Sequence, residues 1–100
     1  MNKKELAKNY AKSIKSSLIN KIILFGSVAR NEDKKDSDID ILVIANDKYK
    51  IEDDIYAKAY DIYLEKDEHI SVKLLSLEDY AFNKNTKFIN TIEKEGIILG

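Results

Sequence analysis

Two short apolar runs, residues 22–25 (IILF) and 39–44 (IDILVI), frame one polar corner and restrict what this chain can fold into. The first run breaks at Gly26-Ser27, and a charged stretch, NEDKKDS, follows at 31–37. The second run opens with Asp38 and Asp40 on either side of Ile39. Runs of this length, rich in isoleucine, leucine and valine, read as buried strands rather than helices. The link between them is about a dozen residues, short for a parallel crossover and ample for an antiparallel return. The corner is therefore expected where one strand ends and its neighbour begins.

The rest of the chain supplies layers for these strands. Leu6, Tyr10, Ile14 and Leu18 recur at helical spacing over 3–18, with lysines opposite. Asn20 ends that helix and Lys21 opens the first strand. Ser27 reads as the N-cap of a short helix reaching Ala29. Ile51, Ile55, Ala59 and Ile62 mark a second amphipathic helix over 50–65, on which Tyr56, Tyr60 and Tyr63 at helical spacing read as a half-buried stripe, with a dedicated partner surface as the alternative. Ile70, Val72 and Leu74 alternate with Ser71 and Lys73, the signature of a third strand over 70–75. Ser76 caps a helix over 77–82 with Glu78 and Asp79 in its first turn. A last helix covers 86–95, Gly96 is its C-cap, and 97–99 is a short apolar tail suited to packing or to an edge strand. The order α-β-β-α-β-α-α predicts an α+β fold: a small mixed sheet with helices mainly on one face.

One hundred residues make one domain, 1–100, burying roughly 65% of the unfolded surface. The formal net charge of −1 and the lack of a basic face or tail argue against general nucleic-acid or membrane binding. Cysteine is absent, which excludes disulfides and thiolate metal sites. No apolar run approaches a membrane span and the N-terminus has no apolar signal core, so a cytoplasmic location is expected.

The chemistry is expected at the corner. Side chains two apart on a strand share a face, so Asp38 and Asp40 aim together, and such carboxylates repel unless a cation lies between them. Mg²⁺, which takes one or two carboxylates together with water and phosphate oxygens, suits the pair. Gly26 admits an anion close to the backbone, and Ser27 offers a hydroxyl and an N–H at a helix start. Arg30 is the only arginine in a chain that otherwise uses lysine, and its planar fork suits a phosphate. Together they equip the corner for a nucleoside triphosphate and Mg²⁺. Lys34 and Lys35 read as loop solvation near enough to draw in a polyanion. An EF-hand is excluded, because Ile41 stands where the calcium loop needs glycine.

Gly26-Ser27-Val28-Ala29-Arg30 followed by Ser37-Asp38-Ile39-Asp40 resembles the G-S-x-A-R … S-D-x-D signature of the minimal nucleotidyltransferase (MNT) family of the DNA polymerase beta superfamily. The leading helix, the strand before each motif, the small size and the closing KEGIIL are similar as well. The resemblance implies a polymerase beta palm-like fold and Mg²⁺-dependent transfer of a nucleoside monophosphate, AMP from ATP, onto an acceptor hydroxyl. Asp38 and Asp40 would be the catalytic metal ligands, Gly26 and Ser27 would hold the triphosphate, and Arg30 would position that corner. It further implies a small helical HEPN-type partner in a toxin–antitoxin couple, and leaves homo-oligomerisation open.

Two positions depart from the family pattern. Asn31 replaces a frequent glycine with little expected consequence, since asparagine tolerates left-handed backbone. Ser71 stands where the family usually has a third carboxylate, which completes the metal site and activates the acceptor. Losing a general base costs about 10²–10⁴ in rate. His69, the only histidine, reads as a strand-edge surface residue on the face of Ser71 and an imperfect substitute. The alternative to an active enzyme is therefore a catalytically weak relative that binds its partner by contact.

Overall fold

A computed structural model describes residues 2–100. In chain order the elements are α1 (Lys3–Ile14), β1 (Ile19–Phe25), α2 (Gly26–Ala29), β2 (Ile39–Ala45), α3 (Lys48–Lys66), β3 (Ile70–Ser76), α4 (Leu77–Phe82), α5 (Lys87–Glu95) and β4 (Ile97–Ile98). The strands form one sheet in the order β3-β2-β1-β4. β1 runs antiparallel to β2 and β4, and β2 runs parallel to β3. The sheet is mixed because the β1–β2 link is short while α3 supplies the crossover to β3.

Alternation along the strands assigns the two faces. Ile22 and Leu24 of β1, Ile39, Ile41 and Val43 of β2 and Ile70 of β3 pack with Leu6, Tyr10, Ile14, Ile51 and Ile55 of α1 and α3. The opposite face carries a smaller cluster, in which Ile23, Leu42 and Ile44 meet Ile89 and Ile92 of α5. β2 is thus covered on both sides, as its nearly unbroken apolar run requires. Tyr10, fully buried, donates its hydroxyl to the Ile55 carbonyl at 2.7 Å. Burial pushes the Tyr10 phenol well above its ordinary pKa, so it stays a donor across the physiological range.

Several boundaries differ from those the sequence predicts. α1 stops at Ile14 instead of running to residue 18, and β1 begins at Ile19. Ser16 explains the break: its hydroxyl accepts from the Leu18 N–H at 3.2 Å, offering the backbone a turn in place of another helical bond. Leu18 still packs on the larger core cluster, from a turn rather than a helix. Ser27 is not the N-cap of α2; Phe25 holds that position with no side-chain cap, and Ser27 lies inside the helix. Tyr56, Tyr60 and Tyr63 are exposed rather than half-buried, because Ile51, Ile55 and Ala59 take the whole buried side of α3. Gly96 caps α5 in an extended conformation, and its necessity is steric: a Cβ there would lie 2.5 Å from Ile23 Cγ2. That contact lets the chain fold back so that β4 pairs with Ile23 and Leu24.

Candidate active site

The sheet register builds the site across three strands. Phe25, the last residue of β1, pairs with Asp40 near the start of β2, and Asp40 pairs in turn with Ser71 of β3. Paired residues on adjacent strands project to the same face. Asp40 therefore shares the α5 face with Leu42 and Ile44, and its carboxyl stands beside the turn into α2.

Gly26 occupies that turn with φ +76°, a conformation that side chains disfavour. A Cβ on Gly26 would lie 2.3 Å from Asp40 Oδ2, so the glycine is required twice, by its dihedral and by the carboxylate against it. The sequence predicts that Gly26 admits a phosphate anion; the group packed against it in the structure is the chain's own Asp40 carboxylate. Asn31 closes the segment in left-handed backbone at φ 59°, as expected of an asparagine there.

The electrostatics of the pair are those of crowded carboxylates. Asp40 titrates above its ordinary carboxylate value, first through burial and then through the negative charge of Asp38. Arg30 and His69 act in the opposite direction without cancelling the shift. His69, one residue before β3, lies with Nδ1 3.2 Å from Asp38 Oδ1. The surface histidine expected from the sequence is therefore exposed, and it also contacts an acid of the site. Among the described residues, no three or more His, Cys, Asp or Glu side chains gather as a fully protein-held metal would need. Two carboxylates, one of them disfavoured in its charged form, can instead hold a hard cation that brings further oxygens with it, the habit of Mg²⁺ bound to phosphates.

Ser27 is half-exposed, and its carbonyl accepts from Glu32 N at 2.9 Å, which fixes the turn after α2. Arg30 is held on two sides, with Nη1 3.5 Å from Glu95 Oε2 and Nε 3.5 Å from Glu32 Oε2. It borders a hollow of about 460 Å³ with Phe25, Gly26 and Phe88. Gly26, Arg30, Asp38 and Asp40 are thus brought to one end of the sheet, with Ser27 directly beside them.

Two contributors escaped the sequence reading. Lys3 reaches from α1 to donate to the Ser37 carbonyl at 2.8 Å and pairs with Glu68, tying the loop before Asp38 to the approach of β3. No local signal reveals it, because its partners lie 34 and 65 positions away. Lys73 lies two residues after Ser71 on the same strand face, with its ammonium 5.3 Å from the Phe88 ring centroid. The alternation of β3 was the available signal for it.

The molecule is an α+β domain whose mixed sheet carries an Asp-x-Asp strand start against a Gly-Ser turn. The sequence profile of the nucleotidyltransferase domain family matches residues 5–99, nearly the whole chain. The chain belongs to that family, as a minimal nucleotidyltransferase, and is a nucleotidyltransferase enzyme. A relative from Methanocaldococcus jannaschii, provisionally named a protein adenylyltransferase, is 31% identical over 104 residues, covering 99% of each chain. Two solved structures share the fold at 22% identity. A toxin-antitoxin complex with AMP-PNP gives a TM-score of 0.62, and an MntA-HpeT toxin-antitoxin complex carrying two aspartate-to-glutamate changes gives 0.61. Each likeness covers all of this chain and 73% of the other. No helix among the described residues is long and apolar enough to cross a membrane.

Proposed function

We propose that this chain, acting as one cytoplasmic domain, transfers AMP from Mg²⁺-bound ATP to a hydroxyl of a partner protein of the helical HEPN type. The observation that carries the reading is Gly26 packed against Asp40, with Asp38 two residues away across the same corner. The provisional name of the archaeal relative supports both an adenylyl group and a protein acceptor. The solved neighbours support a nucleotide and a toxin–antitoxin setting, since one contains AMP-PNP and both are toxin-antitoxin complexes.

In this reading Asp38 and Asp40 hold the cation, the Gly26-Ser27 turn receives the triphosphate, and Arg30, braced by Glu32 and Glu95, fixes that corner. Bound Mg²⁺ supplies charge neutralisation for the phosphates and the departing pyrophosphate. The acceptor oxygen bonds to the α-phosphorus as the bond from that phosphorus to the β-bridging oxygen breaks. Pyrophosphate leaves with the bonding pair, and the hydroxyl proton passes to water. The chain's own contribution is positioning and charge, which dominate phosphoryl chemistry.

The test is incubation with labelled ATP, Mg²⁺ and the protein encoded beside this one, with mass spectrometry of both. A gain of one AMP on the neighbour supports the reading, and its absence with Asp38 and Asp40 intact overturns it. A second reading rests on Ser71, which stands in register with Asp40 where a third carboxylate would complete the set. It makes the protein a slow enzyme that neutralises its partner by contact, and it predicts co-purification without label.

A further inference from the structure

α3 carries four of the six tyrosines, Tyr49, Tyr56, Tyr60 and Tyr63, all exposed and spaced for one side of the helix. The fold does not need them, since Ile51, Ile55 and Ala59 provide the buried side. Tyr56, Tyr60 and Tyr63 are 47%, 60% and 46% exposed and, with Ala59, His69 and Ile70, line a groove of about 350 Å³. The groove leads into the site: the Tyr63 ring meets the His69 ring edge-on at 6.5 Å, and His69 touches Asp38.

Resting on the function proposed above, we propose that this tyrosine groove docks the acceptor protein, through a segment of apolar and basic residues next to the hydroxyl that is modified. Reaction geometry supplies the first reason. The ends of β1, β2 and β3 set the Gly26 turn, the aspartate pair and His69 in a row, about 4.8 Å per strand. With the triphosphate tail on the Gly26-Ser27 turn, in-line displacement requires the attacking oxygen to come from the other end of that row, which is the β3 edge, where His69 borders the groove.

Charge supplies the second reason. Glu52 and Asp53 precede Tyr56 by four and three residues, so two carboxylates border the stripe at helical spacing. Lys58 is engaged with Asp54 and the Ser13 carbonyl and Lys48 with Asp79, which leaves Lys66, three residues after Tyr63, as the cation at that end of the stripe. Aromatic side chains in an acidic surround suit a polypeptide with aliphatic and basic side chains.

The test uses immobilised peptides with one Ser, Thr or Tyr flanked by lysine and leucine, by glutamate, or by glycine. They are exposed to α-labelled ATP and Mg²⁺, while titration calorimetry follows Mg²⁺-ATP and Mg²⁺-tripolyphosphate binding. Lysine-and-leucine flanks should be labelled at least ~10-fold above glutamate flanks, and Tyr56→Ser/Tyr60→Ser should lose about that factor through KM, with both titrations unchanged. The Glu52→Lys/Asp53→Lys pair, which removes no aromatic side chain, should move the preference toward glutamate flanks. Equal labelling of all flanks, no labelling by a protein that binds Mg²⁺-ATP, or full activity in the tyrosine variant would overturn the docking site. Weakened ATP binding with intact tripolyphosphate binding would overturn it by assigning the groove to the nucleobase. Failure to bind either ligand would remove the proposed function itself, and the docking site with it.

Discussion

At Asp40 two demands conflict, and the conflict is measurable. Its carboxyl binds a proton more tightly in the folded chain than in the unfolded one, because burial and Asp38 oppose its charge. The folded state therefore loses stability relative to the unfolded state as pH rises through this titration. Asp40→Asn should raise the melting temperature of the metal-free protein at pH 7, and the gap should shrink as pH falls toward 4, which thermal scans across pH will test. The same variant should lower transfer by about 10²-fold or more, the scale of several kcal/mol that a metal site contributes. Ser71→Asp should act in the other direction, raising transfer toward the ~10²–10⁴-fold that a general base supplies. No gain in single-turnover rate would mean that the third position lies elsewhere. Gly26→Ala should cost about 1–2 kcal/mol from the left-handed dihedral alone and displace the Asp40 carboxylate as well. Gly26, Asp38 and Asp40 were legible in the sequence as a candidate site because their residue types at that spacing have few other uses. The contact between Gly26 and Asp40 was not, since it depends on the pairing of Phe25 with Asp40.

Among the helices, α4 is the least anchored: it has six residues and no buried side chain. Its start is held by a capping box, in which Ser76 accepts from Asp79 N and Asp79 accepts from Ser76 N. Lys48 at the start of α3 adds a 3.0 Å ion pair to Asp79. These bonds hold the Asp79 carboxyl below its ordinary value. Its stabilisation is present above the unfolded carboxylate pKa and is lost as pH falls through the folded one. Protection factors for amide exchange over 77–82 should therefore fall in acid before those of β2, and Ser76→Ala should destabilise the chain by about 1 kcal/mol at neutral pH. The cap was readable from Ser76, Glu78 and Asp79 alone, because a capping box is local chemistry. The end of α1 was not, because Leu18 fits both a helical stripe and the turn that places it on the same core.

For the whole molecule, the site is a seam between elements remote in sequence, so occupancy should report on global stability. Mg²⁺-ATP at 100 times its Kd should stabilise the folded chain by about 2.7 kcal/mol, an upward shift in Tm of roughly 10 °C or more for a domain this small. Asp38→Asn/Asp40→Asn should abolish that shift, and its persistence would move the nucleotide site away from this corner. The sequence by itself determined the element types, the mixed sheet and the two motifs, because hydrophobic period, turn chemistry and capping act over a few residues. It also foresaw the antiparallel return, since a link of that length leaves few alternatives. Only the tertiary structure decided that Ser71 lies in register with Asp40, that Lys3 ties the loop before Asp38 to Glu68, and that the tyrosines of α3 face outward beside His69. Those relations are set by strand register and by which side of α3 the core claims, and both are settled by packing among residues tens of positions apart.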